Sequence, residues 1–392
     1  ELEDGLRVPS IVSFNESVLI GTEAKKYIGS KNTVFGIKQL LGRTVNAAFK
    51  DHIMKLPFTV DTQFERAKIV TDNVGNTERF NVEDIAAFIL MKQKMSAEIF
   101  LNRNLDTVSI TVPTKFTAAQ RQSLHNAALI AGFKNIHLVN DNIALLLHHI
   151  MQQTKADSYM DKKYIVAISM GAAYLNICVA SILNNCIEVN RMWHQKIGGK
   201  DFDEKIFETF VRHRYARYPK DLKTILLNRF GDAKINLTLK DETEIDLSNL
   251  SKKFDNVLLT REKFEEACSQ LILSIKKVLL ESINHAKTFD KHVTIIVGGL
   301  VGKLPQIRSE LNGFNTIYYN DDDLSKGAAI HCAHMTNDER RNITLKNKTY
   351  FRYKFECDYM SPVIIESGSS LPVTKTFDIY GHYGTCDFKI VE

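Results

Sequence analysis

The 392-residue chain has no Cys-x-x-Cys pair, no apolar run long enough to cross a bilayer and no block of like charge. Its six cysteines (Cys178, Cys186, Cys268, Cys332, Cys357 and Cys386) stand apart, mostly inside apolar runs. A free buried thiol is the ordinary state there, and it fits a reducing compartment. No stretch reaches the roughly 18 apolar residues a membrane span requires, so no membrane partner is expected. The 51 Lys and Arg interleave with 46 Asp and Glu, and the net charge of +5 has no focus. That pattern speaks against nucleic acid as a partner. His331 and His334 flank Cys332 on one expected helical turn, but no second ligand pair completes them, and no metal site is expected. The chain opens on Glu1-Leu2-Glu3-Asp4 without a signal-like segment, as a processed or trimmed chain would. Sequons at Asn15, Asn236, Asn249, Asn342 and Asn347 only leave a secretory compartment open beside the cytoplasm, with endoplasmic reticulum lumen or cytoplasm undecided by the sequence.

What is present is glycine at turn positions. Ile295 to Leu304 is an apolar run broken by Gly298-Gly299, with Pro305 opening the next amphipathic segment. Paired glycines at a strand end let a ligand approach backbone that a side chain would cover, and they also make a plain structural turn. Ser169-Met170-Gly171-Ala172-Ala173-Tyr174 is a damaged copy of the same idea. Together they suggest a nucleotide-binding fold that has lost much of its nucleotide chemistry.

At 392 residues the chain suits two lobes plus an appendage. Strand-like residues at 11–20 precede helical segments at 22–28 and 34–41, then short strands near 58–60 and 67–70. Asn81 with Asp84 predicts a helix N-terminus, and Ile85, Phe88, Ile89 and Met95 form its apolar stripe. Thr107 to Val112 predicts a strand, Thr117 to Ala131 a helix stopped by Gly132, and 136–139 another strand. A helix follows Asn140-Asp141-Asn142. Three consecutive strands are predicted at 164–169, 175–182 and 187–193. Helices follow at 200–218, 222–229 and 260–287, with a strand pair near 235–239 and 244–247 between them. Strands at 293–297 and 316–319 and helices after Pro305 and at 324–334 complete an α/β alternation. The tail from Tyr350 lacks helical period and reads as β.

The order of these segments resembles the 70-kDa heat-shock chaperone superfamily. The resemblance rests on Asn32-Thr33-Val34, Lys38 to Arg43, Ile110 to Pro113, Ala127 to Phe133, Gly198 to Asp203, Val297-Gly298-Gly299 and Lys326 to Ala329. It implies a two-lobed actin-like (ribonuclease H-like) α/β ATPase-domain fold followed by a short β-rich segment. Its implied boundaries are an ATPase-type domain at 1–335 (lobe I about 1–160, lobe II about 161–320, closing helix 323–335), a polar linker at 336–349 and the start of a substrate-binding sandwich at 350–392. Val139-Asn140-Asp141-Asn142 and Gly368 to Lys375 are similar to the large branch, the 110-kDa and 170-kDa relatives that act as exchange factors and holdases.

The resemblance implies ATP or ADP with Mg²⁺, a first phosphate hairpin upstream of Glu1, and a second that normally reads Asp-Leu-Gly-Gly-Gly-Thr. Here Ser169 replaces its metal-organising acid, Ala172 and Ala173 add methyls, and Tyr174 replaces a small hydroxyl. Lys38 matches the catalytic lysine, and Asp141 matches a carboxylate near the metal water. A solvated surface lysine and a helix N-cap are the plainer readings of these two. Gly171, Lys234, Gly298, Gly299 and Asp321 match cofactor-binding positions. Ile235 replaces a base-stacking arginine, Gly231 or Asp232 stands near the position of its acidic partner, and Leu300 and Gly302 replace a serine and an arginine. The expected function is a chaperone-family pseudo-ATPase working by protein binding, on a 70-kDa chaperone or unfolded clients. The alternatives are an ATP-hydrolysing foldase and a scaffold.

Overall fold

A sheet with apolar residues on both faces must be covered on both, which is what alternating strands and amphipathic helices provide. The computed structural model describes residues 8–63, 66–73, 76–153, 161–211, 219–248, 250, 255–320, 322–336, 343–346, 353–356, 363–367, 369–370 and 389–391. The chain divides into two compact units. One comprises Glu1–Ile110, Ala118–Leu138 and Gly199–Ile272; the other comprises Thr111–Thr117, Val139–Gly198 and Leu273–Glu392.

In the first unit the 11–20 segment is a hairpin rather than one strand. Asn15 to Ser17 turn between Ile11–Phe14 and Val18–Ile20, and Thr33–Phe35 pairs on the other side of Ile11–Phe14. The expected 34–41 helix is replaced by that third strand and a single 3-10 turn, Ile37–Gln39. Gly36 causes the break, because it sits at φ +67, where a helix cannot start smoothly. Thr59–Asp61, Lys68–Asn73 and Asn76–Asn81 form an antiparallel meander. Asn81 donates its backbone N–H to Asp84 at 2.8 Å, closing a capping box at the head of the helix Val82–Leu101. Phe14 stacks on Phe80 at 4.7 Å and meets Phe88 edge-on, tying the sheet to that helix.

The later part of the first unit holds the helices Gly199–Phe210, Lys220–Asn236 and Arg261–Ala267. No strand covers 235–239, because the Lys220–Asn236 helix runs through Asn236. The strand Glu242–Ile245 pairs instead with Val257–Thr260, whose Leu259 is buried. The expected 260–287 helix is interrupted at Cys268 and resumes as Ser269–Lys287.

The second unit is built on a six-stranded sheet in the order Asn315–Tyr318, Thr294–Gly299, Lys163–Met170, Leu175–Leu183, Cys186–Gln195, Thr344–Lys346. The middle three strands are antiparallel and the outer pairings are parallel. Asp141–Gln153 contributes Ile143, Leu146, Leu147 and Ile150 to a core shared with Ile165, Ala167, Ile182 and Ile296. The Asp323–Met335 helix packs backbone to backbone on it. A Cβ on Gly327 would fall 1.8 Å from the Ala144 carbonyl. Buried His149 hydrogen-bonds the Tyr319 hydroxyl through Nδ1 at 2.7 Å. Trp193 donates its indole N–H to Glu281 at 2.9 Å and lies under the Arg191 guanidinium. In the tail, Val363–Ile365, Tyr353–Glu356 and Lys389–Val391 make an antiparallel three-stranded sheet, as its composition predicts. No helix among the described residues is long and apolar enough to cross a membrane.

Candidate functional site

Parallel pairing brings the two turn motifs together. Gly298 lies opposite Ser169 and Gly299 opposite Met170, so both turns leave the sheet at the carboxyl ends of neighbouring parallel strands. That is where open α/β sheets form their ligand crevices. Packing alone demands glycine at Gly299 and crowds any side chain at Gly298. A Cβ on Gly298 would press Leu145 Cδ1 at 3.1 Å, and Gly299 sits at φ +78 with its Cβ position 2.5 Å from the Met170 carbonyl.

The neighbouring turn is differently made. The Gly171 N–H donates to the Tyr174 carbonyl at 3.1 Å, and a Cβ on Gly171 would meet nothing within 4 Å. Gly198 lies flat against the turn, its Cβ position 2.3 Å from Ala173 N. Ser169 is buried at 3% exposure, and its hydroxyl has no hydrogen-bond partner among the described residues. The Tyr174 ring tilts against His194 at 5.1 Å between centroids.

His194 and Asn176 face each other across the pair Leu175–Leu183 and Cys186–Gln195, and join through His194 Nδ1 and Asn176 Oδ1 at 2.9 Å. Asn176 donates through Nδ2 to the Asp141 carboxylate at 3.3 Å. Since that amide oxygen accepts, His194 Nδ1 carries the proton. Burial, helped by nearby Lys115, pushes the imidazole down to about 4, so it is neutral at pH 7. Asp141 opens the Asp141–Gln153 helix, where its charge also suits the helix dipole. A carboxylate, an amide and a neutral imidazole in series form a fixed polar network. Its amide and imidazole escaped the sequence reading. The available signal was Asn176 itself, a polar residue in the inward phase of the otherwise apolar strand Leu175-Asn176-Ile177-Cys178.

In the first unit Lys38 is exposed on the Ile37–Gln39 turn. Lys234 is buried at 6% exposure and donates to Asp203 at 2.5 Å and to the Gly199 carbonyl at 2.8 Å. Burial pushes the Asp203 carboxyl up, against the pull of Lys234. Ile235 points outward at 54% exposure, and Asp232 reaches Lys25 at 3.4 Å. Asp321 lies outside the described residues. Among the described residues no three His, Cys, Asp or Glu side chains converge as metal ligands.

The sheet, its covering helices and the paired turns define an actin-like ATPase-domain fold. The chain belongs to the Hsp70 family, whose model, described as Hsp70 protein, matches residues 3–378. It is similar to the heat shock 70 kDa proteins of Neurospora crassa and Trichophyton rubrum, at 28% identity over 351 residues, 84% of this chain and 53% of the relative in each case. The heat shock 70 kDa protein of Emericella nidulans is 28% identical over 350 residues, with the same coverage. The chain thus spans about half the length of the curated relatives it matches. Members of this family bind ATP or ADP with Mg²⁺ and act on client proteins.

Proposed function

We propose that this chain is a large-branch type of Hsp70 relative that works by protein binding, with degenerate ATP chemistry. In this reading it promotes ADP release from a partner 70-kDa chaperone, or holds unfolded clients. Residues 1–335 form its ATPase-type domain, 336–349 its linker, and 350–392 the start of a client-binding sandwich.

Ser169 carries the argument. At the turn where the family motif keeps an acid for the metal, this chain has a buried hydroxyl with no partner among the described residues. The nearest matching carboxylate, Asp141, takes the Asn176 amide, and Lys234 is consumed by Asp203 and the Gly199 carbonyl. The residues present do not fit a Mg²⁺-nucleotide. Each lost contact removes about 1–3 kcal/mol. Losing several takes a micromolar ligand beyond measurement. Exchange activity needs a partner-facing surface, and tolerates an altered turn.

The test is release of fluorescent ADP from a 70-kDa chaperone with and without this chain, alongside calorimetry with Mg-ATP and Mg-ADP. Accelerated release with silent calorimetry is the expected pair of results. Micromolar nucleotide binding would overturn the degenerate-site reading and favour the ATP-driven chaperone. The Hsp70 names of the relatives and the Gly298–Gly299 turn beside Ser169 support that second reading.

A further inference from the structure

The first unit contains a cavity of about 220 Å³ lined by Ile28, Phe35, Leu56, Leu227, Lys200 and Asp203, among others. None of these residues belongs to the turns described above. The cavity is smaller than the roughly 300–1,000 Å³ of sites for drug-sized ligands, which suits a small occupant. Ile28, Phe35, Leu56, Pro57 and Leu227 give it an apolar wall, and the polar groups around that wall are unevenly satisfied. Asp203 is held by Lys234 at 2.5 Å, and the Thr224 hydroxyl donates to the Lys220 carbonyl at 2.8 Å. Two amines on the lining are not so held: among the described residues neither Lys223 nor Lys200 makes a side-chain hydrogen bond or ion pair, Lys223 lying over the Phe207 ring at 5.6 Å from the centroid and Lys200 over the Phe35 ring at 5.9 Å.

The backbone makes room for this amine. Gly36 holds a left-handed φ of +67, and a Cβ there would stand 2.9 Å from Lys200 Nζ. Burial pushes the Lys200 amine down, while Glu204, Asp203 and Asp201 draw it back up without touching it. A desolvated ammonium beside hydrocarbon is costly until an anion meets it.

We infer that this cavity binds a small monocarboxylate with an apolar body, its carboxylate on Lys200 Nζ and its hydrocarbon against Phe35, Leu56 and Leu227. Of the lining amines, Lys200 is the one that stands against the Phe35 wall, where it can meet a single carboxylate. Glu204 and Asp203 on the same lining disfavour a dianion such as a phosphate monoester. Cation-bearing ligands are rejected by Lys200 itself, with Lys55 and Lys223 adding positive charge to the lining.

The experiment uses the whole chain, with phenylacetate as probe and the neutral phenylacetamide and dianionic phenyl phosphate as comparators. Binding is followed by ligand-detected NMR and by shift of the melting temperature. Phenylacetate should bind at millimolar concentration or tighter, and both comparators at least about tenfold more weakly. Lys200→Met should weaken phenylacetate about tenfold or more, while Lys200→Arg retains most of the affinity. The melting temperature of unliganded Lys200→Met should equal or exceed that of the parent, because the substitution removes a half-buried charge without an ion-pair partner among the described residues. Equal binding of acid and amide, unchanged affinity in Lys200→Met, or no binding up to about 10 mM would each overturn the assignment. So would a preference for phenyl phosphate. A melting temperature for Lys200→Met well below the parent's would also overturn it, by showing that Lys200 already has a partner.

Discussion

The Gly298–Gly299 turn and the Ser169–Tyr174 turn leave adjacent strands at the same end of one sheet, yet only one keeps its glycines in full. At Gly299 the Met170 carbonyl occupies the space a side chain would need, and at Gly298 the end of Leu145 crowds it. At Gly171 that space is open. Glycine required by the protein's own packing persists whatever the ligand does. At Gly171 packing makes no such demand, and a methyl would be accommodated. The contrast explains how the fold can stay intact while the turn chemistry changes.

The largest effect should come from placing a methyl where packing forbids it. Gly299→Ala must relieve both the positive φ and the 2.5 Å approach to Met170, and should lose about 3 kcal/mol in urea unfolding. A loss below about 1 kcal/mol would dissolve the contrast between the turns.

Next is acid lability. His149 and His194 are both pushed from the ordinary 6.5 down to about 4, chiefly by burial. The unfolded chain therefore binds more protons between these values. The stabilisation is whole above pH 6.5 and is lost as pH falls towards 4. By pH 5 each histidine should remove about 2 kcal/mol. His194→Gln, which can still reach Asn176, should flatten that slope in unfolding midpoints measured at pH 7 and pH 5.

Ser169→Ala removes a buried hydroxyl without a partner and should gain about 1 kcal/mol. A loss instead would mean that Ser169 holds something the chain does not itself provide. Smallest of all, Gly171→Ala should stay within about 0.5 kcal/mol of the parent, since its methyl meets nothing. Set beside Gly299→Ala, this pair gives the sharpest form of the comparison.

Local signals carried the sequence a long way where they coincided with the fold. The Asn81–Asp84 capping box, the Gly132 stop and the three apolar strands after Lys163 all lie where their patterns place them. The errors fall where a distant partner decides. Val34 to Leu41 has helical apolar spacing, but Val34 pairs with Val12 and Gly36 turns the chain towards Lys200. The strand partner of Glu242–Ile245 was misplaced because Val257–Thr260 comes after an intervening segment, and nothing local marks it as the mate. Site residues show the same division. The glycine turns were legible as motifs. The Asp141–Asn176–His194 chain was not, because its three members come from a helix and two strands that only the sheet register aligns. The Lys234–Asp203 pair links two helices 31 positions apart in sequence, and no spacing rule reaches that far.

Trp193 is the sole tryptophan among 392 residues, and it belongs to the second unit. It is 8% exposed, hydrogen-bonded to Glu281 and edged by His285. The chain therefore carries a built-in optical probe with a single address. Its emission should shift to the red when the six-stranded sheet opens and stay silent while the first unit unfolds. Emission set against circular dichroism across one urea titration would thus time the melting of the two units separately, without any label.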